Sequence, residues 1–212
     1  MKRASSSVQP SDSAQQPTAA KARAPGWLTW SNGLTSLRLL AALPLLCAIL
    51  SHSWRIACIL FWLAVASDWV DGRLARARGE SSALGGLLDH GSDATFVMFG
   101  LLALAVAGQT PWPLPFLVTA AFLQYVLDSR ALAGRPLRAS ALGRWNGILY
   151  FVPIGIIVTR ESLGVDFPAD AQVVWLGWGL VLSTSVSMSD RAWALMMSRR
   201  PSSPSSPSSP SP

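Results

Sequence analysis

"SDWVDGRLARARGESSALGGLLDHGSD", residues 67–93, places four aspartates, at 68, 71, 89 and 93, between two long apolar runs. Asp68 and Asp71 are spaced i, i+3, and Asp89 and Asp93 i, i+4, so each pair shares one face of a helix. "RGESSA" (78–83) supplies a short turn, and so short a link makes the two helices antiparallel. In an antiparallel pair, residues at equal height have a constant sum of residue numbers. Asp68 and Asp93 sum to 161, and Asp71 and Asp89 to 160, so two level carboxylate pairs are expected across a hairpin. Four such groups left unneutralised repel one another and suffer desolvation. Hard divalent cations take carboxylate oxygens, and two-metal sites hold their ions about 3.5–4 Å apart. An all-carboxylate set therefore points to Mg²⁺ or Mn²⁺, as two ions, whereas zinc favours His or Cys ligands. The competing explanation is four solvated aspartates paired with Arg73, Arg76 and Arg78. Matched faces at matched depth weigh against it.

The surroundings explain where this hairpin lies. Half of the 212 residues are hydrophobic and only 13% are charged. The apolar residues fall in six blocks, roughly 34–51, 54–77, 84–108, 112–129, 143–160 and 171–196, near the ~20 residues that a bilayer-crossing helix needs. The expected fold is all-α: a polytopic membrane protein with six transmembrane helices. Trp27 and Trp30, in "PGWLTWSNG", suit a short N-terminal interfacial helix. Residues 1–25 are a Ser/Ala/Gln/Pro-rich tail expected to be disordered, without the apolar stretch of a secretory signal. Residues 26–197 form the membrane domain, and 198–212 a Pro/Ser-rich low-complexity tail, also expected to be disordered.

Arginines and lysines cluster at alternate connections: Lys2, Arg3, Lys21 and Arg23; Arg73, Arg76 and Arg78; Arg130, Arg135, Arg138 and Arg144; Arg199 and Arg200. The opposite connections carry only Arg55 and Arg160 near their ends. The positive-inside rule puts both termini and the aspartate hairpin in the cytoplasm, with a bacterial inner (plasma) membrane as the expected location. This distribution also accounts for the net charge of +6 without nucleic acid, which is not an expected partner. Cys47 and Cys58 lie inside apolar blocks, lack metal-ligand spacing and read as packing residues.

Gly72, Ala75 and Gly85 would let a helix or a ligand approach the hairpin closely. Arg76 beside a metal pair suits a phosphate or diphosphate, although it would equally serve to set topology. Metal ions with phosphate-binding groups point to phosphoryl-type chemistry at headgroup level, and a carboxylate not fully engaged by metal could take a hydroxyl proton. A transporter or cation channel is the alternative from another class, because acids within a membrane also mark ion paths. It would distribute carboxylates through the membrane depth. Here the four lie toward one side, and Asp128 and Asp190 also fall at cytoplasmic ends.

The spacing D-x2-D-G-x2-A-R-x8-G-x3-D-x3-D resembles the signature of the CDP-alcohol phosphatidyltransferases. It is met in full by Asp68, Asp71, Gly72, Ala75, Arg76, Gly85, Asp89 and Asp93. The wider resemblance covers roughly residues 27–197. It implies an enzyme that moves a substituted phosphate from a CDP-linked alcohol to a second alcohol and releases CMP. It implies one metal held by Asp68, Asp71 and Asp89, a second by Asp68, Asp89 and Asp93, and a proton-accepting role for Asp93. On the same ground Gly72, Ala75, Arg76 and Gly85 belong to the CDP-donor site, joined by Ser82 of the loop. "SNGLTSLRLLAALPL" (31–45) resembles the family's N-x-L-T-x-x-R start of helix one through Asn32, Leu34, Thr35 and Arg38, which would bring Asn32 near the nucleotide. The same residues could serve instead as a helix cap and a snorkelling arginine. Arg130, Arg138 and Arg144 are the candidates for an acceptor or lipid phosphate.

The expected donor is CDP-diacylglycerol, with a small polar alcohol as acceptor and membrane lipids as surroundings; homodimerisation is common in the family. "LLDHGSDA" (87–94) departs from the "DPLAD" form of phosphatidylglycerophosphate synthases and is similar to the "DHG-x-D" form of choline- and ethanolaminephosphotransferases. The alternative within the enzyme class is therefore a CDP-headgroup donor acting on diacylglycerol. His90 itself is expected to be a headgroup-level polar residue.

Overall fold

The computed structural model describes residues 30–78, 83–131 and 141–198, and every regular element among them is helical. The elements are α1 (Trp30–Leu50), α2 (Trp54–Arg78), α3 (Ala83–Val106), α4 (Pro113–Ala131), α5 (Ala141–Leu149), α6 (Phe151–Leu163) and α7 (Asp170–Ser198). Both tails and the expected interfacial helix before Trp30 lie outside the described residues, as do Ser82 and Arg138.

The six apolar blocks correspond to these elements once α5 and α6 are taken as one span, Leu142–Leu163, interrupted at Tyr150. Pro153 accounts for the interruption. It has no N–H to donate to the Leu149 carbonyl, so the hydrogen-bond ladder breaks there. Gly164 closes α6 in the left-handed conformation at φ 66°, where glycine meets no steric penalty.

Among the residues whose side chains are described, two segments, Leu142–Leu163 and Asp170–Met197, are long and apolar enough to cross a membrane; Arg38–Leu50 of α1 and Pro113–Leu127 of α4 are apolar, and both helices extend beyond those stretches. The halves of α2 and α3 joined by the turn carry aspartates, arginines and glycines. Large apolar side chains face outward on many helices, including Leu40, Trp62, Leu123, Trp175 and Leu182.

The core gathers Leu45 and Ile49 of α1, Phe61 of α2, Phe96, Leu101 and Leu104 of α3, Leu114 of α4, Ile154 and Ile157 of α6, and Val173 of α7. Within it, α1 lies against both helices that bear the acids. Helix α1 packs extensively against both α2 and α3, whereas α2 and α3 meet little among the described residues. Where they do meet, Phe61 of α2 and Phe96 of α3 stack with ring centroids 6.4 Å apart.

Candidate active site

Each site residue continues a buried stripe of its own helix. In α1 the stripe runs Arg38, Ala42, Leu45, Ile49; in α2 it runs Ala57, Phe61, Ala64, Asp68. In α3 it runs Asp89, Asp93, Phe96, Gly100, Leu104. These are helical spacings. Packing of the apolar members against one core therefore directs the polar members toward one another at the end of that core.

There the Arg38 guanidinium joins three carboxylates. Nη2 donates to Asp68 Oδ1 at 2.7 Å and to Asp89 Oδ1 at 3.3 Å, and Nη1 pairs with Asp93 Oδ1. Arg38 is 1% exposed, while the Asp68, Asp89 and Asp93 side chains are 51%, 41% and 28% exposed. The site thus has a buried cationic floor and a rim of acids open on the other side. Arg38 Nε has no hydrogen-bond partner among the described residues.

A local bond supports this frame from behind. Ser92, buried between the two α3 aspartates, donates to the Asp89 carbonyl at 2.8 Å. His90 is exposed, with its ring 5.7 Å from that of Tyr125 on α4. The Arg191 guanidinium of α7 lies 5.7 Å from the same Tyr125 ring. A cation over an aromatic face is a favourable arrangement.

Ligand atoms of Asp89, His90 and Asp93 lie within 4.8 Å of one another, so this group could hold a metal ion. The donor set fits a divalent cation: carboxylate oxygens from α3, one imidazole nitrogen beside them, and a further carboxylate of α2 brought in through Arg38.

The structure thus brings together Asp68, Asp89 and Asp93. Asp71, Gly72, Ala75 and Arg76 lie on the helical backbone of α2, Gly85 on that of α3 and Arg130 on that of α4, with side-chain surroundings outside the described part. Asn32 is inside α1 rather than at its cap, since Trp30 and Ser31 before it are already helical. Arg144 is exposed on α5. Arg38 does not snorkel to water; it is buried among acids. Two residues at the site were not anticipated: Arg38, in a motif tied to the nucleotide rather than to the carboxylates, and His90, expected only at headgroup level; Arg191, for which no sequence signal existed, lies beyond them, against Tyr125.

A second polar layer lies deeper. Asn146, 2% exposed, accepts from Ser183 Oγ at 2.7 Å, and its Nδ2 has no partner among the described residues. Tyr150 donates to Thr184 Oγ1 at 2.7 Å, because the Thr184 hydroxyl is committed to the Leu180 carbonyl at 2.6 Å. These bonds tie the α5–α6 span to α7.

Comparison with known proteins agrees with the spacing and the geometry. The family described as CDP-alcohol phosphatidyltransferase matches residues 28–185. A Mycobacterium tuberculosis (strain H37Rv) protein whose description proposes a cardiolipin synthase is 32% identical over 161 residues, covering 72% of this chain and 76% of the relative. The CDP-diacylglycerol–glycerol-3-phosphate 3-phosphatidyltransferase of Cereibacter sphaeroides is 30% identical over 147 residues, 64% of this chain and 66% of that one. Mouse ethanolaminephosphotransferase 1 is 29% identical over 126 residues, 59% of this chain but 30% of its own length. With a match that takes in all four aspartates and Arg38, the chain belongs to the CDP-alcohol phosphatidyltransferase family and is a transferase of phospholipid biosynthesis.

Proposed function

We propose that the protein transfers a phosphatidyl group from CDP-diacylglycerol to a small polar alcohol and releases CMP. The observation that carries this proposal is the meeting of Asp68, Asp89 and Asp93 around one cationic centre, since these signature residues come from two separate helices. Asp68, Asp71, Asp89 and Asp93 would hold Mg²⁺ or Mn²⁺ as two ions. Bound there, the ions would neutralise the diphosphate of the donor and polarise it for displacement. Gly72, Ala75 and Gly85 leave room for the nucleotide, while Arg76, Ser82 and Asn32 contact it. Asp93 accepts the proton of the acceptor hydroxyl, whose oxygen attacks the β-phosphorus as the bond to CMP breaks. Arg130, Arg138 and Arg144 attract an acceptor or lipid phosphate, with Arg191 beside Tyr125 as a further cation on that side.

Six membrane spans are part of the same proposal: α1, α2, α3, α4, the α5–α6 span and α7. The outward-facing leucines and tryptophans support it, for lipid removes the penalty of exposing them. The arginine pattern supports a site and both termini facing the cytoplasm at a bacterial inner membrane, with a second copy of the chain as a neighbour.

A CDP-headgroup donor acting on diacylglycerol is the second candidate, favoured by "DHGSD" and by the mouse relative. The first is preferred because this chain covers far more of its phosphatidyl-transferring relative. Purified protein given CDP-diacylglycerol, Mg²⁺ or Mn²⁺ and a panel of alcohols is expected to release CMP and form a new phospholipid, and to stop on chelation. CMP release only from CDP-choline or CDP-ethanolamine with diacylglycerol would reverse the assignment. Ion flux in vesicles without turnover of any CDP-alcohol would point to transport instead.

A further inference from the structure

Arg38 contacts one oxygen of each of three carboxylates that a metal would draw on. Its guanidinium takes Oδ1 of Asp68, Oδ1 of Asp89 and Oδ1 of Asp93. A divalent ion ligated to those oxygens would stand a few ångströms from a buried cation, and the two positive groups would repel in a medium of low dielectric. Each therefore weakens the hold of the other on the carboxylates they share. At 1% exposure, Arg38 also has no access to water when its partners are withdrawn. A guanidinium buried without an anion is strongly unfavourable.

We propose that Arg38 is the resident counter-cation of the site: it neutralises the carboxylates until a divalent ion takes their oxygens, and it then passes to a phosphate group of the donor. The second half rests on the CDP-donor function proposed above; the first half does not. Arg38 so placed keeps three mutually repelling acids together before metal arrives, and it opposes metal binding in the absence of nucleotide. A bound diphosphate offers Arg38 a new anion and removes that opposition. Metal and nucleotide therefore strengthen each other's binding, and linkage makes the effect reciprocal. The Nε, without a partner among the described residues, is a further donor for such a transfer.

The competing account makes Arg38 a tether between α1 and the two acid-bearing helices. That account predicts that loss of Arg38 loosens the carboxylates and weakens metal binding. Mn²⁺ titration of the purified full chain, read by electron paramagnetic resonance with and without CDP, separates the two. Without nucleotide, Arg38→Gln is expected to bind Mn²⁺ roughly tenfold or more tightly than wild type. Arg38→Lys keeps the charge but not the planar fork, and should fall between them. CDP should then tighten Mn²⁺ binding by a larger factor in wild type than in Arg38→Gln. Equal or weaker nucleotide-free Mn²⁺ affinity in Arg38→Gln overturns the proposal. If that variant does not fold, an affinity in Arg38→Lys no higher than wild type overturns it. An equal CDP effect in wild type and variant refutes the transfer to phosphate. If CDP changes Mn²⁺ affinity in none of the proteins, the donor assignment fails, and the nucleotide-free order alone decides the role of Arg38.

Discussion

Gly177 and Gly179 lie two residues apart in α7 and offer a controlled test of how closely that helix must approach its neighbours. A Cβ on Gly177 would stand 2.4 Å from Pro111 Cδ and 3.0 Å from Cγ, in the turn between α3 and α4. Ordinary carbon contacts begin about 1 Å farther out, and a proline ring cannot rotate aside. That turn is itself anchored by Thr110, which donates to the Leu101 carbonyl at 3.3 Å. A Cβ on Gly179 would meet nothing within 4 Å. Both substitutions to alanine gain about 1 kcal/mol of helix propensity, but only Gly177→Ala incurs overpacking, about 1–3 kcal/mol. For a protein of this size each kcal/mol moves the melting temperature about 2–4 °C, so Gly177→Ala should melt about 2–12 °C below Gly179→Ala. Thermal unfolding of both in one detergent, followed by the fluorescence of the chain's ten tryptophans, measures the difference directly. Coincident melting curves would refute the claim that α7 touches the Pro111 turn through a bare backbone.

Two further substitutions separate chemistry from stability. Asp93→Asn should lower CMP release by about 10²–10⁴ at saturating metal, the range for loss of a general base; a fall smaller than about tenfold excludes it as the proton acceptor. Arg160 sits near the opposite end of the bundle, 6% exposed, donating to the Pro168 carbonyl at 2.7 Å and pairing with Glu161 at 2.6 Å and Asp170 at 2.5 Å. Arg160→Met frees Asp170, which is 67% exposed, to water, so the loss should be about 1–3 kcal/mol, seen as a lower melting temperature with turnover unchanged well below it.

The composition and the aspartate spacing carry much of this structure. The apolar blocks mark the helices to within a few residues, and a run of apolar residues is a local property. Pro153, read in place, could also have announced the break at Tyr150, because a missing N–H acts four residues away. The packing of α1 against both helices that bear the acids was not legible. Constant residue-number sums address only consecutive helices, whereas the contacts of a third depend on residues far apart in sequence. Arg38 illustrates the limit: its partners lie 30 and 51 residues away, and only the shared core directs all three stripes to one point. Arg191 is later still in the chain and belongs to no motif. Its position follows from the packing of α4 and α5 against α7.

Helix α1 precedes α2 and α3 in the chain, and it brings Arg38 to their acids. In a bilayer its Arg38 has no carboxylate to meet until α2 delivers Asp68, and its full set of partners is complete only when α3 has followed. If these helices span a bilayer as proposed above, their insertion is linked: a lone Arg38 on α1 and lone acids on α2 and α3 are each ill-suited to lipid. Charge neutralisation can then select the right neighbours during synthesis, before the α5–α6 span and α7 exist to complete the core. The ion pairs that frame the site would then first have drawn the helices themselves together.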